Sequence, residues 1–219
     1  SNQKERQNLE KYFNPNNPVQ RILGRFFDLI CLNAVFILTS LPVFTIGAAL
    51  TALYSQTLKI VRKEDTYLIK GYFREFRRNF SRSTLLWLPG LGLFIFFSVD
   101  LYIIYKVIDP VFRILQYPIW LMVFAVAAVL LYAFPLTARY CETYGQTIRN
   151  AVQLALGNLF LSIFFVIVLF LPVDLAVHNG VAAVFLFSIF LFAGASSVAC
   201  LFSFFLNRVF EKVSGSNGT

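Results

Sequence analysis

Five stretches of the chain are almost uninterruptedly apolar: residues 22–41, 84–105, 117–137, 158–173 and 182–206. Each is long enough, or nearly so, to cross a hydrocarbon layer about 30 Å thick as an α-helix. A sixth stretch, 46–61 (IGAALTALYSQTLKIV), is shorter and only weakly apolar, and carries the small residues Gly47, Ala48, Ala49 and Ala52. Small residues favour close packing against other helices over exposure to lipid. Between the first stretch and this one lies Leu41-Pro42-Val43-Phe44-Thr45. Proline lacks a backbone donor and pushes its predecessor out of the α region, and Thr45 can cap a following helix, so the pattern predicts a helical hairpin over 22–61.

The distribution of charge separates that hairpin from its alternative, one long kinked helix. Lys and Arg near span ends are retained on the cytoplasmic side of a membrane. With residues 22–61 as a single crossing there are five spans, and the basic residues divide seven against twelve. With a turn at 42–45 there are six, and they divide seventeen against two, only Lys106 and Arg113 lying opposite the rest. The reading is therefore an all-α, polytopic helical bundle of six spans (alternatively five) with both termini on the basic side and the 42–45 turn on the other. Residues 1–21 form a polar lead, 22–61 the hairpin, 62–83 a basic amphipathic inner-face segment, 84–206 four further spans and 207–219 a polar tail, all within one membrane domain.

Composition agrees: the chain is 58% hydrophobic and 14% charged, whereas soluble domains average roughly a quarter charged residues. The first 21 residues lack the apolar core and small-residue cleavage site of a secretory signal, so the first span is expected to anchor the chain. Cys31, Cys141 and Cys200 are widely spaced and odd in number, giving neither a disulfide framework nor a zinc spacing. A weak internal similarity relates 79–101 to 158–175, both opening on Asn and an apolar residue and closing on Val-Asp-Leu.

The most distinctive polar segment is KGYFREFRRNFSR, residues 70–82. Tyr72, Phe76 and Phe80 recur at i, i+4, i+8, while Lys70, Arg74, Arg77, Arg78 and Arg82 occupy most of the remaining surface. That pattern reads as an interfacial helix whose aromatic side sinks into the acyl boundary and whose cations meet the anionic headgroups of the inner leaflet. It also suits the docking of a cytoplasmic partner. Nucleic acid is not needed to account for the net charge of +8, because retention of basic residues on the inner face already explains it.

Within the hairpin, Asn33, Thr45, Thr51 and Gln56 would line a polar cavity if the chain handles a small molecule. On the opposite face Asp100, Asp174 and the single histidine, His178, are the weak candidates for an acid/base or metal site. No phosphate loop, HExxH, GxSxG, paired CxxC or dinucleotide turn is present. The sequence thus assigns no catalytic residue, cofactor or metal ligand. No ionisable group falls clearly at mid-membrane depth, which argues against a proton-coupled pump.

Several features together resemble the YesL-like membrane proteins of Gram-positive bacteria. They are Asn14 and Pro15 before the first span, Asp28, Asn33, the SLPVFTIGAA core with Ala52 and Tyr54, Phe-Arg-x-Phe-x-x-Asn-Phe at 73–80, and FPLTARY at 134–140. The resemblance implies a multi-pass protein of the bacterial plasma membrane, often encoded beside carbohydrate ABC importers and without an assigned reaction. From it follows the expectation of a non-enzymatic accessory or partner subunit in carbohydrate uptake or envelope glycan handling, with ABC-importer subunits as partners. The alternatives are a small permease or lipid-linked-glycan handler, and a membrane-bound glycan or lipid transferase.

Overall fold

The structure is a computed structural model that describes residues 18–64, 67–106, 114–140, 143–178, 180–190 and 194–216. The Asn14-Pro15 approach, most of the polar lead, Asp109, Arg113 and Cys141 lie outside the described residues. The described residues are helical and contain no strand. They form α1 (Pro18–Ser40), a 3-10 turn (Val43–Thr45), α2 (Ile46–Val61), α3 (Leu68–Lys106), α4 (Gln116–Arg139), α5 (Tyr144–Gly157), α6 (Leu159–His178), α7 (Gly180–Ile189) and α8 (Ala195–Ser216).

Two of these, α3 and α4, are long and apolar enough to cross a membrane, and a third span exists if α5 and the first part of α6 count as one broken helix. Those two helices hold the described part of the chain to a membrane-protein reading; six crossings do not follow from them.

The centre of the bundle is α2. Positions 51–58 are all buried, and the helix packs against α3, α8, α4 and α1. Its small residues make this possible. A Cβ on Gly47 would stand 2.5 Å from the Ser83 carbonyl oxygen and 2.6 Å from the Trp87 Cβ, so the α2 and α3 backbones approach as closely as glycine alone allows. Aromatic side chains close the opposite side. Phe202 of α8 meets the rings of Tyr54, Tyr132 and Phe165 with centroids 5.9, 5.4 and 4.6 Å away, edge-to-face contacts favoured by the ring quadrupoles.

The chain does turn between α1 and α2. Asn33 Oδ1 accepts the Ser196 backbone N–H at 3.2 Å, and the Thr57 and Ser203 hydroxyls are 2.8 Å apart. Ser196 and Ser203 are only about 10 Å apart along α8, whereas a straight helix would separate Asn33 from Thr57 by about 36 Å. The turn is held by Thr45 Oγ1, which donates to the carbonyls of Thr39 and Pro42, each at 2.6 Å.

The turn is not, however, at the far end of the bundle. Trp87 Nε1 donates to the Val43 carbonyl at 2.8 Å, and the Trp87 ring stands 6.4 Å from Phe134, close to the Arg139 end of α4. Beyond Trp87, α3 continues for 19 residues, about 28 Å. The expected outward-facing turn at 42–45 therefore lies beside the middle of α3 and near the Arg139 end of α4. The physical reason is that α2 pairs with the polar half of α3, from Gly71 to Trp87, and not with its apolar half.

Two further expectations change. The basic segment 70–82 is not a separate interfacial helix: it forms the first turns of the 39-residue α3. The helix that does lie across the bundle is α5, which runs at 98° to α6. Thr143 and Gln146 close a reciprocal capping box at the start of α5, and Asn158 ends it. The apolar run 182–206 is likewise not one regular α-helix: α7 ends at Ile189, α8 begins at Ala195, and Phe190 and Gly194 between them have π-helical backbone. Asn33 joins the two helices there, its Nδ2 donating to the Phe190 carbonyl at 2.8 Å and its Oδ1 accepting from Ser196. The wider π turn leaves backbone groups that need such partners inside a bundle.

Candidate functional site

The side of α3 turned away from α2 has two halves. Lys70, Arg74, Arg77, Arg78, Ser81 and Arg82 are exposed along its first turns; then Leu85, Leu88, Ile95, Val99 and Ile103 are exposed along the same side. At 100° per residue all of these fall within an arc of about 140°, less than half of the helix circumference. The change from cationic to apolar takes place within one turn, between Arg82 and Leu85. The apolar half from Leu85 to Lys106 measures about 32 Å and the basic half from Lys70 to Arg82 about 18 Å.

The opposite side of the basic half is fixed in place. Gly71, Glu75, Asn79 and Ser83 recur every four residues and are buried. Gly71 lies against Gln56, whose Oε1 would be 2.7 Å from a Cβ placed there, and Ser83 Oγ donates to Thr51 Oγ1 at 2.7 Å. Glu75, 3% exposed, receives Arg78 at 2.7 Å, Asn79 Nδ2 at 3.2 Å and Lys59 of α2 at 3.8 Å. Its carboxylate thus ties α2 to α3 and holds Arg78 against the helix surface. Lys70 sits over the Tyr67 ring at 5.6 Å, within cation–π range.

Tyr72 does not meet lipid as the amphipathic pattern suggests. It is fully buried, its hydroxyl 2.6 Å from that of Thr39 and donating to the Ala49 carbonyl at 3.3 Å. Phe76 stacks on its ring and Phe80 follows, both partly exposed. The small face of α2 leaves room for the Tyr72 ring inside the bundle, so for that residue burial against protein replaces burial in the bilayer.

The residues expected to line a cavity are instead engaged in packing. Asn33 bridges the junction of α7 and α8, Thr45 holds the turn, and Thr51 donates to the Gly47 carbonyl at 3.0 Å while accepting from Ser83. Gln56 is fully buried, and neither its oxygen nor its nitrogen has a hydrogen-bond partner. Of the outer-face set, Asp100 is half-buried on α3, while Asp174 and His178 belong to the last turns of α6 and their side chains lie outside the described ones. Among the described residues no group of three or more His, Cys, Asp or Glu could hold a metal ion.

Sequence reasoning passed over Glu75. The clue to it was its position on the stripe of small and polar residues at 71, 75, 79 and 83, where a lone acid among arginines has Arg78 and Asn79 within its own next turn.

Residues 29–101 match a family described as "Protein of unknown function, DUF624". The match runs from α1 through the turn and α2 to the apolar half of α3, about a third of the chain. It is the domain family of the YesL-like proteins that the sequence resembles. No curated protein and no solved structure matches the chain.

Proposed function

We propose that this chain is a non-enzymatic, membrane-embedded accessory subunit that presents the basic half of α3 to a partner at the inner face of the bacterial plasma membrane. The observation that carries the reading is the two-part side of α3: one uninterrupted helix, apolar over about the thickness of a bilayer core and cationic beyond it. Here the inner membrane boundary crosses α3 between Arg82 and Leu85. Basic residues on that side, including Arg139 at the end of α4 and Arg62 after α2, agree with an inner face, and both termini are cytoplasmic.

The packing supports presentation over catalysis. Glu75, Gly71 and Gly47 fix the buried side of α3 against α2, so the exposed cations are held on a rigid rod and not on a mobile loop. Rigid presentation lowers the ordering cost of a partner's docking. The YesL-like resemblance directs the search to carbohydrate uptake or envelope glycan systems, with the ATPase or permease subunits of an importer as the first partners to examine.

The test is copurification of the full chain from native membranes under mild solubilisation, with partners identified by mass spectrometry. Importer subunits recovered in fixed ratio with the chain support the subunit role. Recovery of the chain alone after crosslinking in intact cells contradicts it.

A further inference from the structure

Resting on that reading, we propose that the partner meets α3 through an acidic protein segment lying along Lys70, Arg74 and Arg77, and that lipid headgroups account only for the end from Arg78 to Arg82. Because α3 continues as one helix from its apolar half, through Pro89, into its basic half, the cations are stacked along its axis away from the boundary. Arg74 stands about 12 Å and Lys70 about 18 Å beyond Arg82 along the axis. A tilt of 40°, the upper end for membrane helices, still leaves Lys70 about 14 Å away. Attraction to an anionic leaflet fades within a Debye length, about 8 Å at physiological ionic strength. The bilayer therefore reaches Arg82 and Arg78, and Arg77 at the margin of about 8 Å, but not Arg74 or Lys70.

No acidic residue of the described chain neutralises the outer pair, since Glu75 is buried on the other side and is engaged with Lys59, Arg78 and Asn79. Three cations, Lys70, Arg74 and Arg77, over about 10 Å of helix, with Phe73 exposed beside them, match a partner helix or strand of similar length that carries carboxylates at matching intervals. Arginine favours this through bidentate pairing with carboxylates.

The experiment uses the full chain in its native membrane, with a photo-crosslinking amino acid at Phe73 or at Ser81. Both flank the basic residues and leave them intact. Expected at Phe73 is a protein adduct whose captured peptide carries Asp or Glu beside the crosslinked position, and at Ser81 a substantial share of lipid adduct. The double change Arg74→Glu with Arg77→Glu lowers protein capture at Phe73 about tenfold, as expected when like charges replace attractive pairs. An unchanged lipid adduct at Ser81 shows that the variant is still inserted. Lys for the captured acids restores capture in that background. If Phe73 captures a protein and the double change leaves that capture unaltered, the acidic-segment inference is overturned while the subunit reading stands. If both positions yield lipid alone, both fall.

Discussion

Gly47 of α2 rests directly on Ser83 of α3, with no room for so much as a methyl group between their backbones. That contact sets the depth at which α2 is buried, and through it the side of α3 that is left to face outward. Because the obstructing atoms are the Ser83 carbonyl and the Trp87 Cβ, which do not move when a side chain changes rotamer, neither helix can yield by a side-chain rotation. The change Gly47→Ala is expected to destabilise the protein by about 1–3 kcal/mol, the usual cost of overpacking, and to lower the unfolding temperature of the detergent-solubilised chain. An unaltered transition would show that the two helices are not so closely apposed.

One turn beyond Gly47, the Thr51 and Ser83 hydroxyls form a fully buried pair. Thr51→Val keeps the shape and removes the partner. Such bonds contribute about 0.6 kcal/mol between membrane helices on average, so a small loss is expected, and the double variant with Ser83→Ala should lose little more. A thermodynamic cycle of the three variants measures the coupling directly.

Gln56 has the opposite expectation. A fully buried amide whose oxygen and nitrogen both lack partners is unfavourable by about 1–3 kcal/mol on protein mutational scales. Gln56→Leu, close in volume, should therefore stabilise the bundle by about 1 kcal/mol or more. A destabilised Gln56→Leu protein would mean that the amide has a hydrogen-bonded role inside the bundle.

Glu75→Ala removes the carboxylate shared by Lys59, Arg78 and Asn79. The expected cost is about 2 kcal/mol, with Asn79 left unpaired inside the bundle. Arg78, no longer held at 2.7 Å, should gain mobility, visible as a faster-tumbling spin label at Ser81. A label as immobile as in the parent protein would remove Glu75 from the account of how the basic face is held.

Much of this organisation was legible in the sequence. Apolar periodicity marked the helices, Pro42 and Thr45 marked the turn, and the small residues of 47–52 marked a packing face. The direction in which the turn points was not legible, because residue counts on either side of a membrane say which ends share a face and nothing about which helices lie at equal depth. The Trp87 bond to Val43 carries that information, and it joins residues 44 apart in the chain. The role of Asn33 was hidden for the same reason: its partners Phe190 and Ser196 lie at the junction of α7 and α8, inside a run that reads as one regular helix. The stripe of Tyr72, Phe76 and Phe80 misled because periodicity reveals that a face is apolar without saying whether lipid or protein covers it.

The depth of α3 is the point on which the proposed presentation of its cations stands. Spin labels placed singly at Lys70, Arg74, Arg77, Ser81, Leu85, Leu88 and Ile95, with collision rates to oxygen and to a water-soluble nickel reagent recorded in lipid bilayers, give that depth residue by residue. The expected profile is water-accessible from 70 to 81, steps at 85 and is lipid-accessible beyond, with accessibility to nickel at Lys70 and Arg74 as high as in free solution. Labels at 70, 74 and 77 that all report the same shallow headgroup depth would mean that the basic half lies flat on the membrane, and would contradict the presentation of α3 to a partner.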